Sequence, residues 1–240
     1  MYSLIVISSD YGDRYHILVS LILACVLATV VFYLTIAPAH NLLKAFIAYR
    51  QGDEKVKVRG HLKFLPKKSF NWLGVVSTLF LFLPIVHPVY YRKNRFYDPT
   101  KGVFAVALSG IAFYFLSGLF LATIYTALKA SAVYGITGAT NAYYTYSFAT
   151  FAYHCTLCTF YFLSRICFFS SFINLLPVIP MDMGEILGLI LRINWVDYLK
   201  NNEVFVSSLI FLGSFFTVAK PAGLFSQMTS DIMNFLALMF

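Results

Sequence analysis

The sequence predicts an all-α, polytopic membrane protein, and three observations support this prediction. Of the 240 residues, 60% are hydrophobic and only 12% are charged, whereas a soluble domain carries about a quarter charged residues. Several apolar runs approach or exceed the roughly 20 residues that cross a bilayer as a helix. Most of the basic residues fall in one stretch between the apolar runs. We therefore expect about four membrane spans and one basic insert.

The first predicted span is the apolar run that begins at Ile17 and continues past Pro38 to about Tyr49. Residues 1–16 precede it and carry two acidic residues and one basic residue. A secretory signal peptide needs net positive charge in this position. We therefore expect residues 1–16 to form an extracytoplasmic N-terminus and not a cleaved signal.

The basic insert comprises residues 50–101. It contains 11 of the 18 basic residues and three acidic residues, so its net charge of +8 equals that of the whole chain. Basic loops next to membrane spans face the cytoplasm. We therefore place the insert in the cytoplasm and the N-terminus outside. Anionic lipid headgroups are the expected partners of such a segment, and nucleic acid is not expected.

A short apolar block, residues 72–88, lies inside the insert. It has about 15 apolar residues, which is short for a span, and it contains Pro84. Basic residues flank it on both sides, although a true span would place one flank outside the cytoplasm. We therefore predict that 72–88 is re-entrant, with its backbone polar groups satisfied by protein.

The remaining elements follow the insert. Pro177 and Pro180 break the chain after the third predicted span, and a short helix is expected just beyond them. The membrane domain is predicted to cover residues 17–220, and an apolar C-terminal tail follows at 221–240. The later predicted spans are 102–130, 148–176 and 203–219.

Three segments carry motifs that could bear chemistry. The first contains the pattern His40-Asn41-x-x-Lys44, and then Ala48-Tyr49-x-x-Gly52-Asp53 followed by Gly60-His61-Leu62-Lys63-Phe64-Leu65-Pro66. The second contains Asp98-Pro99-x-x-Gly102 and then Ala107-Leu108-Ser109-Gly110. The third reads Asn174-Leu175-Leu176-Pro177-x-x-Pro180-Met181-Asp182-Met183-Gly184.

In order and spacing, these segments resemble the site-2 family of intramembrane metalloproteases, over residues 20–195. The family's first motif reads H-E-x-x-H-A, and its late motif supplies an aspartate. The resemblance implies a site-2-protease-like helical core that contains a groove between helices. Because residues 60–66 resemble a strand of the family, it also implies a partly β insert.

The resemblance also implies that the catalytic site is degenerate. Catalytic zinc takes three protein ligands and a water, and the glutamate beside the first histidine serves as base. Carried over to this chain, His40 and Asp182 are vestigial ligand positions, Asn41 replaces the base and Lys44 replaces the second histidine. An amide does not take up a proton at neutral pH, and a charged ammonium has no lone pair for a metal. We therefore expect a pseudoenzyme with no catalytic residues, metal or cofactor.

Substitute residues remain open as alternatives. Glu185 could act as a base, although an acidic residue in the first turn of a helix is also favoured by the helix dipole. His154 or Cys158 could supply a ligand from the 148–176 helix, or could be interfacial or packed side chains.

The basic residues at membrane depth also have two interpretations. Lys44 could extend its ammonium to the cytoplasmic surface, or it could form an ion pair with Asp182, because a charge at this depth is usually paired. For Arg165 we expect either extension to the surface or a contact with another chain.

The function expected from this pattern is that of a non-catalytic pseudoprotease, which binds or scaffolds the transmembrane segments of partner membrane proteins. One alternative is a structural subunit of a larger membrane protein complex, which the aromatic content of 18% fits equally well. A second alternative is an active intramembrane metalloprotease with rearranged ligands.

Overall fold

The computed structural model describes residues 11–81, 83–137, 148–175 and 181–190, and all regular structure within these ranges is helical. The predicted span 203–219 and the predicted tail 221–240 lie outside the described residues. The α-helices are α1 (Tyr11–Val31), α2 (Ala37–Arg50), α3 (Lys55–Val58), α4 (Pro66–Ser69), α5 (Trp72–Leu81), α6 (Pro99–Thr137), α7 (Phe148–Asn174) and α8 (Asp182–Ile190).

Three described helices are long and apolar enough to cross a membrane, as the sequence predicts. They are Leu18–Arg50, Pro99–Ala130 and Phe151–Asn174, with 33, 32 and 24 residues. Each exceeds the roughly 20 residues that a bilayer requires. The all-α membrane architecture is therefore confirmed for the described part of the chain.

A π-helical turn, Phe32–Ile36, joins α1 to α2 without a break in the rod. Pro38 follows this turn, and a proline inside a helix lacks an N–H and clashes with the carbonyl four residues earlier. A single wider turn is a common way for a helix to accommodate such a defect. Beyond the turn, His40 and Lys44 face the interior, where they are 6% and 7% exposed.

The three long helices pack together, with α7 against both α1 and α6, and α2 against α6. Ala24 and Ala28 are fully buried on α1, and such small residues let helix backbones approach closely in membranes. The ring of Phe32 stacks on that of Tyr114, with centroids 5.9 Å apart. The outer side of α1 exposes Leu18, Val19, Ile22, Leu23, Val26, Leu27 and Val30.

The block predicted to be re-entrant folds back on itself. Helix α5 has 10 residues and is about 15 Å long, half of the roughly 30 Å hydrocarbon core. The chain then continues without regular secondary structure through residues 83–92, here called the return segment. The backbone N–H of His87 donates to the Ser69 carbonyl at 3.4 Å, so the block returns to where it began. This is the geometry expected of a re-entrant segment, and the side of the membrane on which it lies stays a prediction.

The prediction of a partly β insert was wrong for the described residues of 50–101, which contain helices, turns and irregular chain but no strand. Gly60 has a φ of +69°, so the backbone turns where the resemblance placed a strand. Pro66 then begins α4, because its fixed φ suits the first position of a helix. Local turn and helix signals outweighed the family pattern here.

A buried carboxylate joins the two ends of the basic insert. Asp53 is 0% exposed, and it accepts the backbone N–H of Lys55 at 3.2 Å and that of Arg92 at 2.8 Å. The N–H of Tyr97 donates to the Gln51 carbonyl at 2.9 Å. The chain therefore leaves α2 and re-enters α6 at the same place.

Candidate functional site

Helix α2 brings the residues of the first motif to one buried face. His40 and Lys44 are four residues apart and therefore neighbours on the helix surface. Asp182 is the first residue of α8 and is 3% exposed. The Lys44 ammonium forms a salt bridge with the Asp182 carboxylate, 138 residues away in sequence. Of the two alternatives for Lys44, the structure has the ion pair.

Opposing effects act on the Asp182 carboxyl. Burial raises its pKa, the Lys44 ammonium opposes this shift, and the nearby charge of Glu185 also raises the pKa. Its position at the start of α8 favours the charged form, because the N-terminal end of a helix is electropositive. An isolated charge would be costly at such a buried position, so the ammonium of Lys44 is what allows a carboxylate here.

A second buried carboxyl group lies one turn along α8. Glu185 is 7% exposed, and the Tyr91 hydroxyl donates a hydrogen bond to it. Burial and the charge of Glu185 raise the pKa of Tyr91 well above its ordinary value. The Tyr91 hydroxyl therefore keeps its proton and remains a donor. Through this hydrogen bond the return segment is tied to Glu185 on α8.

Gly110 on α6 closes one side of the ion pair. A Cβ at this position would collide with Oδ2 of Asp182 and would lie 2.9 Å from Nε2 of His40. Real Cβ contacts almost never fall below 3.0 Å. Only glycine lets α6 approach Asp182 and His40 this closely, so α6 packs directly against α8 and α2. The sequence pattern contains Gly110, but its role was not predicted.

His40 lies between an aromatic ring and the ion pair. Its ring stacks on that of Tyr114, with centroids 4.1 Å apart and an interplanar angle of 22°. Its Nδ1 lies 3.3 Å from the Asn41 side-chain oxygen. Nε2 of His40 and Oδ2 of Asp182 have no hydrogen-bond partner among the described residues, and both border the position of Gly110. Tyr114 thus fixes the histidine ring.

Asn41 ties the return segment to α2. Its side-chain amide donates to the Ser69 hydroxyl at 2.9 Å and to the His87 carbonyl at 3.0 Å. Two turns earlier, the Tyr33 hydroxyl donates to the Ile85 carbonyl at 3.1 Å. A buried carbonyl without a helix or strand partner must find its hydrogen bond elsewhere in the protein. These two side chains satisfy two carbonyls of the return segment.

A cavity of about 60 Å³ lies between α2, the return segment and α7. By the volume that one water requires, it has room for about four waters or one modest side chain. The return segment supplies an apolar wall. The polar lining consists of His40, Asn41, Lys44, His87, Tyr114, Ser170, Asn174 and Asp182.

The residues at this site do not fit a catalytic zinc ion. A catalytic site needs three protein ligands; of the motif positions, His40 and Asp182 offer Nε2 and Oδ2, and the Lys44 ammonium offers no lone pair. The described residues contain no group of three His, Cys, Asp or Glu side chains that could hold a metal. The Lys44 ammonium adds a positive charge where a third ligand would have to lie.

The alternative ligands predicted on α7 lie too far along the helix. Ser170 lines the cavity, and His154 precedes it by 16 residues, or about 24 Å at 1.5 Å per residue. Cys158 precedes it by about 18 Å on the same basis. His154 is also exposed.

Arg165, the other basic residue predicted at membrane depth, donates a hydrogen bond to the Tyr161 hydroxyl at 2.7 Å on its own helix.

Comparison with known proteins gives no relative. No protein-family model, no curated protein and no solved structure matches this chain. The resemblance to site-2 proteases is therefore argued from the three motifs, and it stays a prediction.

Proposed function

We propose that this chain is a non-catalytic relative of the site-2 proteases that binds transmembrane segments of other membrane proteins. The observation that carries the proposal is the Lys44–Asp182 ion pair beside the cavity. It joins two of the motif positions in one buried site, and it replaces the metal chemistry that those positions would otherwise support.

The argument against catalysis rests on what Asn41 and Lys44 already do. The Asn41 amide group donates to Ser69 and His87, and an amide oxygen does not act as a base. Lys44 is charged and engaged with Asp182. With an amide at the position of the family's base and an ammonium at the position of its second histidine, the family's zinc-dependent hydrolysis cannot be written for these residues.

The argument for binding rests on the cavity and its walls. Apolar side chains of the return segment and α7 line the cavity together with polar groups that can orient a guest, and such a mixture is expected of a binding site. The volume admits about one side chain of a guest, so the guest segment would lie over the opening and place a single side chain inside. In this proposal the basic insert faces the cytoplasm and residues 1–16 lie outside, as the charge distribution predicts.

Site-specific photo-crosslinking in native membranes tests the proposal. A photoreactive phenylalanine analogue would replace Val86 or Met181, on two walls of the cavity. The control is Leu116, a 63% exposed residue on the outer face of α6. We expect discrete adducts at Val86 and Met181 that contain membrane-spanning peptides, and none of these at Leu116. Equal adducts at all three positions, or none at either cavity wall, would contradict the proposal.

A structural subunit of a larger complex is a second candidate, favoured by the exposed apolar face of α1. This face suits another helix as well as it suits lipid. Purification in mild detergent separates the two functions. A fixed, stoichiometric set of partners that crosslinks to Ile22 on α1, and not to Val86, would favour the subunit role.

The third candidate, an active protease, is tested by metal analysis. We expect purified protein to contain no stoichiometric zinc by elemental mass spectrometry. A matched His40→Ala variant serves as the control. Stoichiometric zinc that disappears in this variant would restore the protease candidate.

A further inference from the structure

Four basic side chains converge at the point where the basic insert meets the membrane spans. They come from two segments of the insert, and Asp53 holds these segments together through the backbone N–H groups of Lys55 and Arg92. A guanidinium N–H of Arg59 donates to the Tyr90 carbonyl at 3.3 Å. The cluster, called the basic cluster below, consists of Lys55, Arg59, Arg92 and Arg95.

The positive charge of the basic cluster is not neutralised nearby. The charges of Arg92, Arg95 and Arg59 lower the pKa of Lys55, against the opposing effect of Asp53. Asp53 is fully buried and bonded to backbone N–H groups. Among the residues that the structure describes, no carboxylate forms an ion pair with a member of the cluster. The Lys68 ammonium, which donates to the Arg59 carbonyl at 2.5 Å, adds a further positive charge beside it.

The position of the basic cluster along the chain places it at headgroup level. Lys55 follows the end of the span Leu18–Arg50 by five residues, and Arg95 precedes the span Pro99–Ala130 by four. The headgroup region extends about 5–7 Å beyond the hydrocarbon core on each side. Tyr97, beside the cluster, is 86% exposed, and tyrosine is enriched at the membrane interface.

We propose that Lys55, Arg59, Arg92 and Arg95 bind the phosphorylated headgroup of an anionic membrane lipid. Guanidinium groups recognise phosphate through paired N–H donors. Several cations around one point suit a headgroup that carries more than one phosphate. This site lies outside the cavity and does not depend on the function proposed above.

Lipid binding to the purified full chain in neutral detergent micelles tests the proposal. The probe is a fluorescent, short-chain inositol phospholipid with two ring phosphates, and phosphatidylcholine of the same chain length is the neutral comparison. The test variant is Arg92→Gln with Arg95→Gln, which keeps the backbone N–H that Asp53 accepts. The matched control is Lys63→Gln with Lys67→Gln, which removes the same charge from exposed positions on the same insert.

We expect the wild type to bind the phosphorylated lipid more tightly than phosphatidylcholine. In the test variant the Kd for the phosphorylated lipid should rise by about tenfold or more. The control should change Kd by less than about twofold, because screened charges at a distance contribute little. Equal weakening in both variants would overturn the proposal in favour of nonspecific attraction. Should the test variant fail to fold, Lys55→Gln with Arg59→Gln replaces it, with the same expectation.

The soluble inositol phosphate headgroup and inorganic phosphate form the last arm of the experiment. We expect both to compete only at concentrations far above that of the lipid, because neither is held at the membrane surface. Competition by the free headgroup at the lipid's own concentration would overturn the proposal. The occupant would then be a soluble phosphate compound.

Discussion

Two buried aspartates, Asp53 and Asp182, have different hydrogen-bond partners, and they show two ways in which this protein accommodates a buried negative charge. Asp53 is 0% exposed and Asp182 is 3% exposed. Asp53 accepts backbone N–H groups with both carboxylate oxygens. Asp182 receives the Lys44 ammonium on Oδ1, and its Oδ2 has no hydrogen-bond partner among the described residues.

The comparison teaches which changes each site tolerates. Backbone donors remain when side chains change, so the partners of Asp53 persist through substitution at Lys55 or Arg92. The partner of Asp182 is one side chain, and its loss would leave a buried charge uncompensated. Conversely, Asp53 cannot be replaced by an apolar residue without orphaning two N–H groups, whereas the Lys44–Asp182 pair can be replaced as a unit.

The largest expected effect comes from breaking the ion pair on one side. Lys44→Met should lower the free energy of unfolding by about 3–5 kcal/mol, because Asp182 is left buried and unpaired. Adding Asp182→Leu should recover most of this loss, since an apolar pair needs no charge compensation. Unfolding in mixed micelles at increasing denaturing detergent measures both. Lys129→Met, at an exposed lysine on α6, is the control, and equal losses in the single and double variants would contradict the pairing.

The next effect tests the site built from backbone donors. Asp53→Asn should cost about 1.5–3 kcal/mol, because one of its two N–H partners loses a charged acceptor. Asp53→Leu should be worse, since both N–H groups then lack an acceptor, and no second substitution at Lys55 or Arg92 should rescue it. The same unfolding assay applies, with the exposed neighbour Glu54→Gln as control. Rescue of Asp53→Leu by a substitution of Lys55 would contradict this account. It would show that Asp53 stabilises the protein by neutralising the Lys55 ammonium and not by accepting backbone N–H groups.

A third change crowds the Asp182 site without altering charge. Gly110→Ala should cost about 1–3 kcal/mol, the usual range for overpacking, because the added Cβ would collide with Asp182 and press on His40. Ser109→Ala on the same helix adds no volume and is the control. The two variants are compared by their thermal midpoints in detergent. Equal midpoints would mean that α6 shifts to accommodate the methyl group.

The smallest effect concerns a third carboxylate, which has backbone donors but little burial. Asp98 accepts the N–H groups of Thr100 and Lys101 at the start of α6, at 3.0 and 3.2 Å. These bonds, that of Lys101 first, lower the pKa of Asp98 below its ordinary 3.8. Its stabilisation is therefore present above pH 3.8 and is lost as the pH falls through the lowered pKa. The midpoint difference between wild type and Asp98→Asn should shrink below pH 3.8, and a constant difference down to pH 2 would contradict this.

The helices could be predicted from the sequence because apolar runs of sufficient length leave few alternatives. The charge on both flanks of 72–88 and its insufficient length agree with the fold-back that the structure shows, and the entry of this block into the membrane stays a prediction. The insert was less predictable: residues 60–66 resemble a strand, but strand formation needs a pairing partner, and the turn at Gly60 leaves none. The π-helical turn was also not predicted, since Pro38 alone does not determine how a helix accommodates it.

The candidate site could be predicted only in part, for a related reason. Residues recognised by their motif positions, such as His40 and Asp182, do lie close together. Contacts made to backbone atoms were missed, because a carbonyl such as that of His87 has no residue type that reveals it. The stacking of Tyr114 on His40 was missed because no spacing rule pairs two aromatic rings that lie on different helices.

The π-helical turn at Phe32–Ile36 has a consequence for insertions and deletions. Each residue of an α-helix rotates the side-chain direction by about 100°. A π-helical turn takes about one residue more than an α-helical turn to cover nearly the same rotation, so Phe32–Ile36 absorbs one extra residue. Deleting one residue from this turn would therefore make the span a regular helix and would leave Ala24 and Ala28 directed at α7. The same deletion within the regular part of α1 would rotate the residues that precede it and would turn large side chains of the outer face inward.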